Sequence, residues 1–249
     1  MSNISIQDLY KTYPGTPPVK ALDNISLDVA PGELVALLGP SGCGKSTLLN
    51  LIAGFEAPSQ GRLQVDGQPV VAPGPERGVV FQEAALFPWL SVWENVIFGP
   101  KVQGMARSEY EDRAHEMLKI VGLGDFKNHL PVQLSGGMRQ RVGLARILTL
   151  GSRVLLMDEP FGALDAQTRL TMQELLLSVW QQLKPTIIFV THDIDEAIFL
   201  ASTIYVMSAR PGRIQKRIEV PLSRPRTVAD TASETFSALK LDILNLIRH

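Results

Sequence analysis

The stretch Leu34-Val35-Ala36-Leu37-Leu38-Gly39-Pro40-Ser41-Gly42-Cys43-Gly44-Lys45-Ser46-Thr47 decides the fold of this chain. Five consecutive apolar residues read as a strand covered on both faces, because a strand with one wet face would alternate. The run from Thr47 to Ala53 reads as a helix, and the glycines between strand and helix let backbone N–H groups turn inward around an anion at the helix N-terminus. The spacing from Gly39 to Ser46 is that of a loop for nucleoside triphosphates: Lys45 is placed to neutralise the β and γ phosphates, and the Ser46 hydroxyl to ligate a Mg²⁺ that bridges them. Cys43, the single cysteine, lies inside this loop. One cysteine excludes an internal disulfide framework, and its position leads to the expectation that bound nucleotide slows its alkylation.

Working outward, Val154 to Met157, Ile187 to Val190 and Ile204 to Met207 share the two-sided apolar character and predict a parallel α/β core. Ile4 to Leu9, Ile25 to Val29 and Arg62 to Val65 alternate instead and are bounded by Pro and Gly turns, as an antiparallel edge sheet would require. Open α/β sheets place ligands at the carboxyl ends of their strands. Val154 to Met157 delivers Asp158 and Glu159 to that edge, Asp158 for Mg²⁺ and Glu159 to polarise an attacking water. His192 follows Ile187 to Val190 onto the same edge, where it can donate to the γ phosphate or hold the water. Asp193 and Glu196 read as a helix cap. Gln82 ends a strand-like run from Gly78 to Phe81; a neutral amide there could bind Mg²⁺ or the water when a lobe swings inward, and a plain loop glutamine fits the spacing equally well. His115, His129 and His249 have no metal-ligand spacing and read as surface residues.

The chain has 249 residues, 45% hydrophobic and 20% charged, with a net charge of -1, so a broad electrostatic footprint for nucleic acid is not expected. No apolar run approaches the roughly 20 residues of a membrane span, and Met1-Ser2-Asn3 lacks a signal-peptide layout. Between residues 86 and 150 the texture turns helical. Ser108 and Glu111 read as a capping box opening a helix that carries Tyr110, Ala114, Met117, Leu118 and Val121, with Gly122 as its stop. Phe236, Leu239, Ile243 and Leu246 predict a last amphipathic helix packed on its own domain. The expected fold class is α/β: a P-loop NTPase core with a mixed sheet, an N-terminal antiparallel β subdomain and an inserted helical lobe. The expected division of one domain, 1–249, is a nucleotide-binding core over 1–85, a lobe over 86–150, returning core over 151–222 and a tail over 223–249.

Leu134-Ser135-Gly136-Gly137 adds a second phosphate-reading surface, since Ser135 opens a helix running through Val142, Ala145 and Leu148 with two unobstructed glycines at its start. It lies too far along the sequence to belong to the first. Gly39 to Ser46, Gln82, Leu134 to Gly137, Met157-Asp158-Glu159-Pro160, Ala163-Leu164-Asp165 and His192 stand in the order of the ATP-binding cassette family, which this chain resembles over nearly its whole length. The resemblance implies the fold of that family's ATPases, ATP and Mg²⁺ as cofactors, and a head-to-tail homodimer. Ser135, Gly136 and Gly137 of one subunit would then meet the γ phosphate of ATP held by the other subunit's Gly39, Pro40, Ser41, Gly42, Cys43, Gly44, Lys45, Ser46 and Thr47. It further implies Asp165 as the residue crossing the interface and Tyr13, three residues from Tyr10, as the aromatic that stacks on adenine. Met138 departs from the family, which often has Gln there.

Phe161 to Arg169, Pro211-Gly212-Arg213-Ile214 and Arg224-Pro225-Arg226 narrow the resemblance to importers of nitrate, taurine, aliphatic sulfonates and related small solutes. That implies a peripheral place on the cytoplasmic face of the inner membrane, two membrane-spanning permease subunits, and indirectly an extracytoplasmic solute-binding protein, with no nucleic acid. Phe87-Pro88-Trp89-Leu90-Ser91-Val92 would line the groove for a permease helix, Trp89 fitting either that surface or the lobe core. The competing class is a soluble cassette clamp acting on nucleic acid or ribosomes, and a phosphate-loop kinase is a third.

Overall fold

The computed structural model describes residues 1–248; His249 lies outside them. In chain order the elements are β1 (Ile4–Tyr13), β2 (Val19–Val29), β3 (Leu34–Leu38), α1 (Lys45–Ala53), β4 (Gln60–Val65), β5 (Gln68–Pro69), β6 (Arg77–Val80), α2 (Val92–Val102), α3 (Arg107–Ile120), α4 (Gly136–Leu150), β7 (Val154–Asp158), α5 (Ala166–Leu183), β8 (Thr186–Thr191), α6 (Ile194–Leu200), β9 (Thr203–Met207), β10 (Ile214–Glu219) and α7 (Glu234–Arg248). They form an antiparallel sheet ordered β2-β1-β4-β5 and a six-stranded sheet ordered β10-β9-β3-β8-β7-β6, parallel throughout except for the β9–β10 pair. This is the expected α/β architecture.

The continuous apolar runs are continuous because both faces of their strands are covered. Leu34, Ala36 and Leu38 of β3 join one hydrophobic cluster with the helices on one side, while Val35 and Leu37 join the other, which fills the space between the two sheets around α1. β7 and β8 divide the same way, Leu155, Met157, Ile187 and Phe189 to the first cluster, Val154, Leu156, Ile188 and Val190 to the second. Each such side chain contributes about 1.5–3 kcal/mol by leaving water. The parallel register aligns the strand ends: Leu38 lies opposite Thr191, and Asp158 opposite Val190. The residues that follow β3, β7 and β8 therefore emerge side by side.

Helices α2, α3 and α4 pack through Val96, Ile97, Ala114, Met117, Val142 and Leu148. Helix α2 opens with a capping box, the Ser91 Oγ accepting from the Glu94 N–H at 3.2 Å and the Ser91 N–H donating to Glu94 Oε2 at 2.8 Å. Helix α3 corrects the sequence expectation. Its N-cap is Ala106, whose N–H donates to Glu109 Oε2 at 2.5 Å, so the helix begins before Ser108. Glu111 is drawn instead to Arg107 one turn earlier, accepting from its Nη2 at 2.6 Å. Gly122 does follow the helix, with φ of 70°.

Two arginines anchor the tail. Arg226 Nη1 donates to the carbonyls of Ile198, Phe199 and Ala201 at 2.9, 3.1 and 2.7 Å, closing the C-terminal end of α6, while the Arg224 guanidinium lies 4.2 Å over the Trp180 ring. Phe236 and Ile243 of α7 are buried in the first cluster, as the amphipathic spacing predicts. Among the described residues no helix is long and apolar enough to cross a membrane. Trp89 is 72% exposed, which settles it as surface rather than lobe core. His115 is exposed against Trp93, whereas His129 is half-buried beside Phe126, contrary to its reading as a surface residue.

Candidate active site

The loop from Gly39 to Gly44 carries β3 into α1, whose N-cap is Gly44 with φ of 100°, a left-handed conformation open to glycine. Lys45 is only 5% exposed, and its Nζ donates to the carbonyls of Gly39 at 2.8 Å and Pro40 at 2.9 Å. Among the described residues Lys45 forms no ion pair. A buried ammonium without a counter-ion, beside a helix N-terminus, is a site prepared for an anion. Cys43 is 1% exposed and burial pushes its thiol up; the side chain is turned inward behind the loop, its Sγ 3.9 Å from Lys45 Nζ. The expected protection from alkylation loses its basis, because a shielded, protonated thiol reacts slowly with or without nucleotide.

Ser46 Oγ donates to Asp158 Oδ1 at 3.0 Å, joining the loop to the end of β7. Among the described residues no cluster of three or more His, Cys, Asp or Glu could hold a metal. One hydroxyl and one carboxylate suit Mg²⁺, which keeps waters and takes phosphate oxygens rather than an all-protein cage. Burial raises the Asp158 carboxyl above the ordinary Asp range, and the Glu159 charge adds to this, while the Ser46 hydrogen bond and Lys45 oppose it. A raised carboxyl contributes stability that is complete below its unfolded value and lost as pH rises through the folded one. Asp158→Asn is therefore expected to leave the nucleotide-free chain at least as heat-stable at pH 7 while abolishing metal-dependent hydrolysis; thermal melts and phosphate release check both halves, and a marked fall in melting temperature would contradict the first.

Glu159 follows in a left-handed conformation, φ 42°, its N–H donating to the Val190 carbonyl at 3.1 Å. A non-glycine residue pays for that backbone with strain of about 1 kcal/mol or more, which is tolerable where the geometry serves a task. The turn aims the carboxylate across the sheet edge: Glu159 Oε2 lies 3.2 Å from His192 Nδ1. His192 is placed by its neighbours, since the Asp193 N–H donates to Thr191 Oγ1 at 3.0 Å and Asp193 caps α6 through the Glu196 N–H. Gln82 arrives from the other side. A Cβ built on Gly162 would stand 3.2 Å from Gln82 Nε2 and 3.6 Å from Glu159 Oε2, so amide and carboxylate converge over that glycine.

Sequence reasoning missed the residues that hold Gln82 there. Gln140 of α4 donates to the carbonyls of Phe81, at 3.4 Å, and Gln82, while Arg146 Nη1 donates to the Ala85 carbonyl at 3.0 Å. Both read as ordinary polar helix positions, and only the approach of the 81–85 segment gives them partners. Tyr13 leans on α1, its hydroxyl donating to Glu56 Oε1 at 2.9 Å and lying 3.4 Å from Thr47 Oγ1, with Lys11 Nζ 4.9 Å above the ring.

Ser135, Gly136 and Gly137 form a separate surface. Ser135 caps α4 by accepting from the Met138 N–H at 3.2 Å, Met138 packs into the first cluster, and Gly137 is pressed against α5, where a Cβ would meet Thr168 Cγ2 at 2.5 Å. Asp165 caps α5, its Oδ1 accepting from the N–H groups of Gln167 and Thr168, both at 3.1 Å. Among the described residues no hydrogen bond joins Ser135, Gly136 or Gly137 to the loop from Gly39 to Ser46.

An anion-ready loop, paired Ser46 and Asp158, and Glu159 with His192 on one parallel-sheet edge define a phosphate-loop nucleoside triphosphatase. The family model described as ABC transporter matches residues 22–162. The chain is 50% identical over 232 residues to the taurine import ATP-binding protein TauB of Pseudomonas putida, covering 93% of this chain and 88% of that protein. It is 46% identical over 253 residues to TauB of Ruegeria pomeroyi, covering 99% and 94%. Among solved structures it is similar to the dimeric post-hydrolysis state of an ATP-binding cassette bound to ADP and Pi, with TM-score 0.74 and 32% identity over 88% of this chain and 100% of that one. It is also similar to cbiO1 from Clostridium perfringens, part of the ABC transporter complex cbiONQ, with TM-score 0.80 and 28% identity over 98% and 97%. The chain belongs to the ABC transporter family, as an ATPase that binds and hydrolyses ATP.

Proposed function

We propose that this chain is the ATP-hydrolysing motor of an importer for a small solute of the taurine, sulfonate or nitrate kind, peripheral on the cytoplasmic face of the inner membrane. The observation that carries the site reading is Lys45, a buried cation without an ion pair at the head of α1. In this reading the backbone from Gly39 to Gly44 with Lys45, Ser46 and Thr47 holds the phosphates of ATP. Ser46 and Asp158, with Gln82 when its loop is inward, hold Mg²⁺, which when bound offsets charge on the phosphate oxygens. Glu159 takes a proton from the attacking water, His192 orients that water and the γ phosphate through its ring N–H, and Tyr13 stacks on the base.

Among the described residues Ser135, Gly136 and Gly137 share no hydrogen bond with their own loop, and the reading assigns them to ATP held by a second copy, with Asp165 crossing between sites. The lobe over 86–150 would pass the closing motion to two permease subunits, and an extracytoplasmic binding protein would present the solute. The names of the taurine import relatives support the importer, and the dimeric ADP-bound neighbour supports the paired arrangement.

A mixing experiment tests the shared site. Lys45→Ala and Ser135→Arg chains are each expected to be inactive, since each spoils both sites of a homodimer. Mixed, they form heterodimers with one intact site, and phosphate release is expected to return to about a quarter of wild type. No recovery on mixing removes the shared site. Co-purification with a polytopic membrane protein supports the importer, and co-sedimentation with ribosomes or DNA instead would overturn it.

A further inference from the structure

The turn joining β9 to β10 has no part in the roles assigned above, yet it is built against the phosphate loop. A Cβ on Gly212 would lie 2.1 Å from the Cys43 carbonyl oxygen and 3.2 Å from Leu22 Cδ2. Only glycine lets the backbone of the turn close on the loop at that distance. The loop's own glycines answer from the other side: a Cβ on Gly44 would meet Leu22 Cδ2 at 2.8 Å, and one on Gly39 the Met207 carbonyl oxygen at 2.9 Å.

The contact is locked in place. Asp23 N–H donates to the Gly212 carbonyl and Gly212 N–H to the Ala21 carbonyl, each at 2.9 Å. Arg213 Nε donates to Asp23 Oδ2 at 2.8 Å, Lys20 Nζ lies 2.6 Å from Asp23 Oδ1, and these two cations, Lys20 first, hold the Asp23 carboxyl below the usual range. Ser208 closes the turn, its N–H donating to the Arg213 carbonyl at 2.9 Å and its Oγ accepting from the Arg213 N–H at 3.0 Å. At the crest of the loop Arg210 Nε donates to the Gly42 carbonyl at 3.3 Å. The strand caught in this lock is β2, in which Leu22 pairs with Lys11 and Val19 with Tyr13.

We infer that the Arg210–Arg213 turn, through Gly212 and the Arg213–Asp23 pair, is a positioning brace that sets the phosphate loop in its anion-binding shape and ties it to the strand pair carrying Tyr13. A loop that binds through the directions of its backbone N–H groups loses affinity when its backbone shifts by a fraction of an ångström, so the brace governs ATP affinity without being a catalytic residue. Arg213 and Gly212 act through the loop, Gly212 by its lack of a side chain.

The inference rests on the loop being the ATP site, and calorimetric titration of the purified chain with ATP and magnesium separates the two. If the wild-type chain takes up no ATP, the site reading falls and the brace with it. If it does, Gly212→Ala is expected to raise Kd about tenfold or more and Arg213→Met about fivefold, both at unchanged binding stoichiometry. A general folding defect gives the opposite split, fewer binding-competent molecules with the wild-type Kd. Should Gly212→Ala fail to fold, Arg213→Met decides, and Arg213→Lys, which keeps a cation for Asp23, is expected to recover part of its loss. A Kd within about twofold of wild type for folded Gly212→Ala, or for Arg213→Met where that variant decides, overturns the brace.

Discussion

Glu159→Gln is expected to lower ATP hydrolysis by about 10²- to 10⁴-fold while ATP binding survives. The substitution keeps size and hydrogen bonding but removes the oxygen that can take a proton from water. The placement that makes it informative does not depend on the charge: the left-handed φ of 42° and the N–H bond to the Val190 carbonyl belong to the backbone. An amide can also keep a contact at the 3.2 Å separation from His192 Nδ1. The variant should therefore accumulate ATP without turning it over, and gel filtration with ATP should show a dimer that the wild type forms only transiently. Phosphate release within about threefold of wild type would remove Glu159 from the role of base.

Lys45→Ala is expected to weaken ATP binding by about 100-fold, because the two or more charge-assisted hydrogen bonds an ammonium can give to phosphate are worth about 3 kcal/mol together. In the nucleotide-free chain the same ammonium is buried against two carbonyls with no ion pair, which costs stability rather than adding to it. The substitution should thus leave the melting temperature without nucleotide unchanged or raised, and abolish the upward shift that ATP gives the wild type. Thermal melts with and without ATP read both effects. A preserved ATP-induced shift would exclude Lys45 from the site.

The sequence was most legible where one physical requirement governs several neighbouring residues. Leu34 to Leu38 is uninterrupted because Ala36 and Leu37 face different clusters, and that two-sided burial marked the parallel core. The positions of Asp158 and His192 followed, since a parallel register leaves little freedom in where successive strands end. Legibility failed where a long-range partner decides the outcome. Ser108 and Glu111 have the spacing of a cap, but α3 starts earlier at Ala106 because Glu109 caps its backbone, and Glu111 turns to Arg107. Cys43 gave no sign of facing the core, and Gly212 none of touching the loop, because each is set by a segment far away in sequence. Gln140 and Arg146 carried no signal at all; their partners are backbone carbonyls, which every sequence supplies equally.

Those two side chains redraw where the molecule divides on the timescale of local opening. The segment from Phe81 to Ala85 leaves the end of β6, yet Gln140 and Arg146 fasten its carbonyls to α4. A stretch so fastened shares the opening equilibrium of the helix that holds it rather than that of the strand it leaves. In native-state hydrogen exchange its amides would be released together with the middle of α4, while Val79 and Val80 remain protected with the sheet. The seam between the two cooperative units then falls next to Gln82, not at the first turn of α2, so the amide that converges with Glu159 over Gly162 travels as cargo of the helices.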